Sequence, residues 1–149
     1  MFRAAVKRQA AIEFEALADP DEEGFYPFER EQTEILVRSA VEALVADVLA
    51  GMPVPVISAR FHNGLAQLGL EICQALRVTK NINDVVLSGG VWQNITLLRR
   101  TLSLLQGAGF VVYIHHQVPA NDGGLSLGQA AIAAAKLRDS KGLFEGSSK

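Results

Sequence analysis

The stretch Asp84-Val-Val-Leu-Ser-Gly-Gly-Val-Trp-Gln-Asn94 determines the predicted fold of this 149-residue chain. Its first apolar residues predict a short strand, and the glycine pair predicts a turn that runs straight into a helix. Because the first N–H groups of a helix have no acceptor within it, this turn can hold an anion or a nucleotide. A second turn, Pro119-Ala-Asn-Asp-Gly-Gly124, opens another helix in the same manner. We predict that the two turns face one cleft and form one side of a nucleotide-dependent site whose other side is absent from the sequence.

The residues that follow predict a βαβ unit. Apolar side chains recur every three or four positions between Val91 and Leu105, which indicates one face of a helix. Gly107 and Gly109 end that helix, and residues 110–114 form a second apolar strand. Strands joined by one helix within about thirty residues are expected to be parallel. The predicted fold class is α/β, with a small, mostly parallel sheet flanked by about five helices.

Helices are also predicted over residues 9–18, 29–51 and 59–76. In the second of these, four apolar residues recur at spacings of four, three and four, which puts them on one face of the helix. They are Val37, Val41, Leu44 and Val48.

The remaining segments complete one domain, residues 1–138. The acidic segment 19–24 predicts a solvated loop. The aromatic segment 25–28 predicts a strand or an extended cover on the core. A last helix begins near Gly123 and runs to about residue 137, and residues 139–149 predict a flexible tail.

Composition narrows the function classes. A net charge of −2 gives no reason to expect nucleic acid or a membrane surface as a partner. No run approaches the roughly 20 apolar residues of a membrane span. The N-terminal residues lack the apolar segment of a signal peptide, which predicts a cytoplasmic protein. The single cysteine, Cys73, excludes an internal disulfide and a cysteine-based zinc site, and its place on an apolar helix face predicts a buried structural thiol.

Residue chemistry alone leaves the role of the polar candidates open. The Ser88-Gly-Gly90 turn is either a phosphate- or ribose-binding turn or a tight turn that needs a positive φ. Asp122 either caps the following helix or holds a hard divalent cation. His62, near a helix start, is either a site residue or a structural histidine, and His115 and His116 are predicted to be surface or hydrogen-bonded side chains.

Five stretches, in order, resemble the C-terminal part of the hydrogenase maturation carbamoyltransferases, the HypF family. They are Gln9–Ala18, Tyr26–Glu29, Ala59–Ala66, Val86–Asn94 and Val118–Gln129. Together they extend over roughly residues 5–137, and their order makes the likeness more specific than any one motif. A more distant likeness is to the tRNA threonylcarbamoyladenosine enzymes (the TsaD family) and to antibiotic O-carbamoyltransferases.

The resemblance implies the second lobe of an actin/hexokinase/Hsp70-like fold. In the family, N-terminal parts make carbamoyl-adenylate from carbamoyl phosphate and ATP. The C-terminal domain then transfers the carbamoyl group to the C-terminal cysteine of the maturation protein HypE, and the product becomes the cyanide ligands of the [NiFe] centre. ATP, as carbamoyl-adenylate, and a divalent metal ion are the implied cofactors.

The resemblance also implies roles for individual residues. Asp122 would be a metal ligand that completes a site with two histidines of an H-x-x-x-H element. His62 would lie near the cleft as a candidate catalytic residue. The implied nucleotide-binding residues are Ser88, Gly89, Gly90, Asn94, Gly123 and Gly124.

The sequence departs from the family in three respects. It contains no H-x-x-x-H pair, it lacks the first lobe and the adenylate-forming domains, and Lys7-Arg8 stands where Glu-Gly is expected. We therefore predict a fragment or a divergent single-lobe version. Its expected partners are the missing N-terminal lobe and a HypE-like protein.

Two alternatives remain at this point. Because two strands make a poor independent sheet, the chain could be a non-catalytic module that forms a homodimer or docks a partner. It could also be a stand-alone nucleotide-binding α/β domain.

Overall fold

The computed structural model describes residues 2–31 and 34–145, and the side chains of residues 9–31 and 34–138. The described part contains five α-helices and four strands. In chain order they are α1 (Phe2–Ala16), β1 (Glu29–Glu31), β2 (Glu34–Leu36), α2 (Arg38–Leu49), α3 (Val54–Lys80), β3 (Asp84–Leu87), α4 (Ile95–Gly107), β4 (Val111–Ile114) and α5 (Leu125–Glu145). Short 3₁₀ turns occupy Gly90–Gln93 and Asp122–Gly124. This order confirms the α/β class and the number of helices.

The predicted βαβ unit is confirmed. Strands β3 and β4 pair in parallel, and α4 connects them. The glycine turn, however, does not run straight into the helix. A 3₁₀ turn, Gly90–Gln93, comes first, and α4 begins only at Ile95 because the side chain of Asn94 caps it.

The helix predicted over residues 29–51 is wrong in its first third. Strands β1 and β2 form an antiparallel hairpin there, with Glu29 opposite Leu36 and Glu31 opposite Glu34. The physical reason is that residues 29–34 contain no apolar side chain, so a helix over them has no face to bury. The hydroxyl of Ser39 donates to Glu29 at 2.6 Å, so the hairpin is tied to the first turn of α2.

Helix α3 is longer than predicted at both ends, because residues 54–58 and 77–80 belong to it. Pro55 lies in its first turn, where a missing N–H costs nothing. The helix ends at Asn81, whose φ of 54° is the left-handed conformation typical of a helix C-terminus.

The chain divides into two compact units. The first unit comprises Met1–Val86 and Asn94–Tyr113, and the second comprises Leu87–Gln93 and Ile114–Lys149. In the first unit α3 is the central helix, and its small residues at positions 59, 64 and 66 are buried against its neighbours. Small side chains allow close helix packing, so α3 is covered on more than one side.

The aromatic segment 25–28 is an extended cover on this core. Of the two predictions for it, a strand or an extended cover, the second is confirmed. Tyr26 is 3% exposed, and the ring of Phe28 packs against Phe61. Gly64 makes this approach possible, since a Cβ there would overlap the carbonyl oxygen of Tyr26 and lie 3.0 Å from the Phe28 ring.

The apolar face of α2 is only partly buried. Val37, Val41 and Val48 are each more than half exposed, while Ala40 is buried and Leu44 packs beside it. The helix is turned so that its alanine side meets the core. Its valine side is exposed.

In the second unit α5 follows the second glycine turn and extends to Glu145, eight residues beyond the predicted end at 137. The flexible tail over residues 139–149 stays a prediction. None of the helices within the described ranges combines the length and apolarity that crossing a membrane requires. The cytoplasmic location also stays a prediction.

Candidate functional site

The first glycine turn, Ser88–Gly90, lies directly after β3. Gly89 has a φ of 108°, a conformation that glycine adopts at little cost. Its N–H donates to the carbonyl of Ala120 at 2.7 Å, and its own carbonyl accepts from Trp92 at 3.2 Å. The structure therefore brings the two predicted glycine turns together, although they are 31 residues apart in sequence.

The second turn, residues 119–124, is stabilised by its own backbone. The side chain of Asn121 accepts from the N–H of Gly123 at 2.9 Å, and its carbonyl accepts from Gly124, also at 2.9 Å. A Cβ on Gly124 would lie 2.8 Å from the carbonyl oxygen of Pro119. Gly124 is therefore required by the fold of the turn.

Gly90 differs from the other glycines of the two turns. Its φ is not positive, and the nearest atom to a Cβ built there is Cβ of Asn121, at an ordinary contact distance of 3.9 Å. Neither backbone conformation nor packing explains a glycine at this position. The fold itself does not need a glycine here. A ligand that approaches the backbone closely would need one, because any side chain would occupy the same space.

Ser88 makes a contact that the sequence did not predict. Its hydroxyl lies 2.8 Å from Nε2 of His115, the residue after β4. The pairing confirms that His115 is a hydrogen-bonded side chain. It fixes the rotamer of Ser88 at the mouth of the turn, where both residues are exposed.

Asp122 is exposed and begins the second 3₁₀ turn. Asn121 supplies the side-chain cap of the 3₁₀ turn. Both roles considered for Asp122, a cap of the following helix and a metal ligand, stay predictions. Among the described residues there is no cluster of three His, Cys, Asp or Glu side chains that could hold a metal ion. Asp122 can provide one oxygen ligand, and the other ligands would have to come from outside these residues.

His62, the candidate catalytic residue, lies in the first unit and is 2% exposed. Its Nδ1 is 2.7 Å from the carbonyl of Ser58, and its Nε2 is 2.9 Å from Nδ2 of Asn94. A carbonyl only accepts and an amide NH₂ only donates, so the ring is neutral with its proton on Nδ1. Both nitrogens are occupied, which does not favour a catalytic role; that role stays a prediction.

Asn94 is also occupied by the fold. Its Oδ1 accepts from Leu97 at 2.7 Å, while its NH₂ group donates to His62. The carboxylate of Glu15 accepts from Ile95 at 2.6 Å and from Thr96 at 3.3 Å. The N-terminus of α4, which we expected to present bare N–H groups, is therefore filled by side chains of this chain.

The acidic segment over residues 19–24 is a loop with exposed and half-buried side chains, as predicted, but it is also held in place. Asn63 donates to the carbonyls of Glu22 and Gly24 at 2.9 and 2.8 Å. Arg100 donates to the carbonyl of Asp19 at 2.9 Å and to the side chain of Asn63. A groove of about 380 Å³ lies between this loop and helices α3 and α4.

A charged network supports the same loop. Arg60 binds Asp47 at 2.9 Å and Glu22 at 3.2 Å, and Tyr26 donates to Asp47 at 2.8 Å. The hydrogen bond from Tyr26, followed by that from Arg60, holds the pKa of Asp47 below its usual range. Burial, with the Asp47 hydrogen bond, raises the pKa of Tyr26 to about 12.

Cys73 is partly buried on α3 rather than fully enclosed. Burial raises the pKa of its thiol above the ordinary value. A raised pKa lowers the thiolate fraction at neutral pH, so the thiol is not an activated nucleophile. This agrees with the structural role predicted for it.

Comparison with known proteins identifies the family to which the chain is similar. Residues 3–129 match the family profile described as "Carbamoyltransferase, Kae1-like Domain, second subdomain". The chain is 32% identical over 126 residues to the carbamoyltransferase HypF of Synechocystis sp., which covers 81% of this chain and 16% of that protein. It is 41% identical over 76 residues to HypF of Rhodobacter capsulatus, covering 51% of this chain and 10% of that protein.

Solved structures agree with the sequence relatives. A full-length HypF, crystallised in a phosphate- and nucleotide-bound form, superposes with a TM-score of 0.80 at 39% identity, covering 87% of this chain and 17% of that one. T. kodakarensis HypF gives a TM-score of 0.69 at 20% identity, which is a likeness of fold. The chain thus spans about one sixth of the length of these HypF proteins.

Proposed function

This chain belongs to the HypF carbamoyltransferase family, and from that premise we propose that it is the second lobe of an actin/hexokinase/Hsp70-like carbamoyltransferase domain. It would supply one wall of a site for carbamoyl-adenylate. The missing first lobe would supply the other wall. The family profile covers 127 of 149 residues, from 3 to 129, which supports the assignment to this part of HypF.

The observation that carries the proposal is the joined pair of glycine turns. Gly89 binds Ala120, and beside that bond Gly90 leaves free space that the fold does not need. In this proposal the adenylate lies against Ser88, Gly89 and Gly90 on one side and against Gly123 and Gly124 on the other. Asn94 and His62 shape the first unit rather than touch the nucleotide.

The chemistry proposed for the assembled site is transfer of the carbamoyl group to the C-terminal cysteine of a HypE-like protein. The thiolate sulfur bonds to the carbamoyl carbon, the bond from that carbon to the phosphate oxygen breaks, and AMP leaves with the electron pair. The product would enter cyanide ligand synthesis for a [NiFe] hydrogenase. The N–H groups of Gly89, Gly123 and Gly124 already donate within the fold, so the turns would contribute space for the phosphate rather than these three donors.

Asp122 is the residue of this chain that would hold a divalent cation. Its carboxylate is exposed and does not cap the 3₁₀ turn, so it is free of the structural role that Asn121 performs. Two histidines of the first lobe would complete the ligand set. When bound, the cation would polarise the carbamoyl carbonyl.

Nucleotide binding by the isolated chain tests the proposal. In an amide NMR titration with AMP, we expect weak binding that shifts signals of residues 88–90 and 121–124. Gly90→Ala should weaken binding at least tenfold because its methyl group fills the free space. Gly128→Ala, on α5 with no atom near its new Cβ, is the matched control and should change nothing. Shifts confined to other residues, or equal binding by Gly90→Ala, would contradict the proposal.

Activity requires the rest of the polypeptide. The chain can be fused behind the preceding part of Synechocystis HypF in place of that protein's own C-terminal segment. We expect the chimera to add one carbamoyl group to the C-terminal cysteine of HypE, detected by intact mass. Asp122→Asn should lower the rate, and its double variant with Gly90→Ala should abolish transfer.

A further inference from the structure

The valine side of α2 is an apolar surface that no other described part of the first unit covers. Five side chains at spacings of four, four, three and one form one stripe, which we call the α2 stripe. They are Val37, Val41, Val45, Val48 and Leu49, exposed by 54%, 53%, 47%, 55% and 83%. β-Branched residues lose side-chain freedom in a helix, so four exposed valines on one face indicate selection for contact rather than for helix formation.

The charges beside the stripe balance. Arg38 and Glu42 are exposed on one edge of it, one positive and one negative. The other edge meets the side of α2 that carries Ala40 and Leu44 and packs on the core. The stripe therefore offers contact area without net charge, which fits an apolar protein surface and does not fit a phosphate, nucleic acid or anionic membrane.

The area of the stripe indicates whether a second copy of this chain or a tethered neighbouring domain covers it. Five half-exposed side chains of this size present on the order of 400 Å², about half of the roughly 800 Å² per partner that a stable complex between separate chains buries. A second copy would thus bury too little. Domains tethered in one polypeptide associate through smaller interfaces because their effective concentration is high.

We propose that the α2 stripe is the docking surface for the first subdomain of the HypF carbamoyltransferase domain. The matching family profile is a second subdomain, and the chain spans about one sixth of its relatives, so a neighbour in the same polypeptide exists in those proteins. An apolar face of that neighbour covers the stripe. The inference concerns a surface in the first unit and holds whether or not the glycine turns bind adenylate.

Thiol labelling tests the occupant directly. Val45→Cys places a thiol in the stripe, and Val78→Cys places one on the exposed last turns of α3, where Val78 is 86% exposed and belongs to no stripe. The native Cys73 is partly buried and burial raises the pKa of its thiol, so we expect it to label more slowly than an exposed thiol. We expect both introduced thiols to label fast in the chain alone. A saturating amount of the purified first subdomain of Synechocystis HypF should slow the Val45→Cys thiol at least tenfold and leave the Val78→Cys thiol unchanged.

A variant that places a charge in the stripe provides a second, independent test. Val45→Glu should weaken binding of the first subdomain at least tenfold in titration calorimetry, while Val78→Glu should bind as the wild type does. Glutamate is a better helix former than valine, so both variants should fold. The proposal is overturned if the two polypeptides do not bind at about millimolar concentration, which a short tether supplies as effective concentration, if they bind with the Val45→Cys thiol unprotected, or if that thiol is already slow in the dilute chain. Protection that grows with chain concentration alone identifies a second copy as the occupant and also overturns it.

Discussion

At the N-terminus of α4, the N–H groups of Ile95, Thr96 and Leu97 have acceptors from Glu15 and Asn94. At the glycine turns, by contrast, a methyl group added to Gly90 would meet nothing closer than 3.9 Å. At both places most of these N–H groups have acceptors within the fold, since Gly89, Gly123 and Gly124 also donate to this chain. The helix N-terminus is closed by side chains, whereas Gly90 leaves space beside its turn. The difference shows that a turn of this kind is a candidate site only where the fold leaves room for a ligand.

The largest effect on stability is expected in the core of the first unit, where Gly64 packs against Tyr26. Gly64→Ala places a Cβ against the Tyr26 carbonyl and should lower the free energy of unfolding by about 3 kcal/mol, as overpacking does. Gly69→Ala, on the same helix with only Thr101 in ordinary contact at 3.9 Å, should be neutral or stabilising. Urea denaturation of both variants measures the difference. Equal losses would show that helix α3 does not depend on the close approach.

Removal of the Asn94 side chain should open the closed end of α4. Asn94→Ala deletes a helix cap and leaves the buried Nε2 of His62 without a donor, at a combined cost of about 2 kcal/mol. Thermal unfolding at constant pH measures it. Asn94→Asp retains the cap but sets an acceptor against Nε2, so it should recover only part of this loss. Wild-type stability in Asn94→Asp would contradict the assigned tautomer.

The two adjacent glycines of the open turn should respond oppositely. Gly89→Ala forces a side chain into a φ of 108° and should destabilise the turn locally by about 1 to 2 kcal/mol. Gly90→Ala should leave the turn as stable as in the wild type and act only on ligand binding. Hydrogen exchange of the Gly89 and Trp92 amides reports the local change. If Gly90→Ala speeds the exchange of these amides as much as Gly89→Ala does, the space beside Gly90 is not free to accept a side chain.

The smallest effect is a pH dependence in the network beside the loop. The folded pKa of Tyr26, about 12, is above the ordinary value of about 10, so the neutral phenol is favoured by folding. Its contribution is therefore fully present below about pH 10 and is lost as the pH rises toward 12. The denaturation midpoint should fall across this window, and Tyr26→Phe should remove that part of the fall. An unchanged slope in Tyr26→Phe would assign it to other groups.

The parts that sequence reasoning predicted are those with a local signal. The apolar periods of α4 and the strand–glycine–helix order produced the βαβ unit, and two Gly-Gly turns at strand ends produced the expectation that they meet. The first third of helix 29–51 failed because residues 29–34 contain no apolar side chain, whereas the valine period correctly predicted α2 although three of its four members are exposed. Periodicity reports that a face is apolar and does not report what covers it.

The parts that failed depend on partners far apart in the sequence. Glu15 lies 80 residues from the N–H groups that it caps, and Asn63 lies about forty residues from the loop that it holds. His62 illustrates the same limit, since its partner Asn94 is 32 residues away and turns a candidate site residue into a buried, neutral one. His115 beside Ser88 could have been suspected from its position at a strand end, where ligands bind in parallel sheets.

The bond between Gly89 and Ala120 has a consequence for how the site comes into being. A chain released before residue 120 would contain the whole Ser88-Gly-Gly90 motif and yet lack the carbonyl that fixes the orientation of Gly89. During synthesis, the pair of glycine turns can therefore form only after β4 and residue 120 have been made. Truncation near the C-terminal side of β4 should abolish nucleotide binding while every residue of the first glycine motif remains in place.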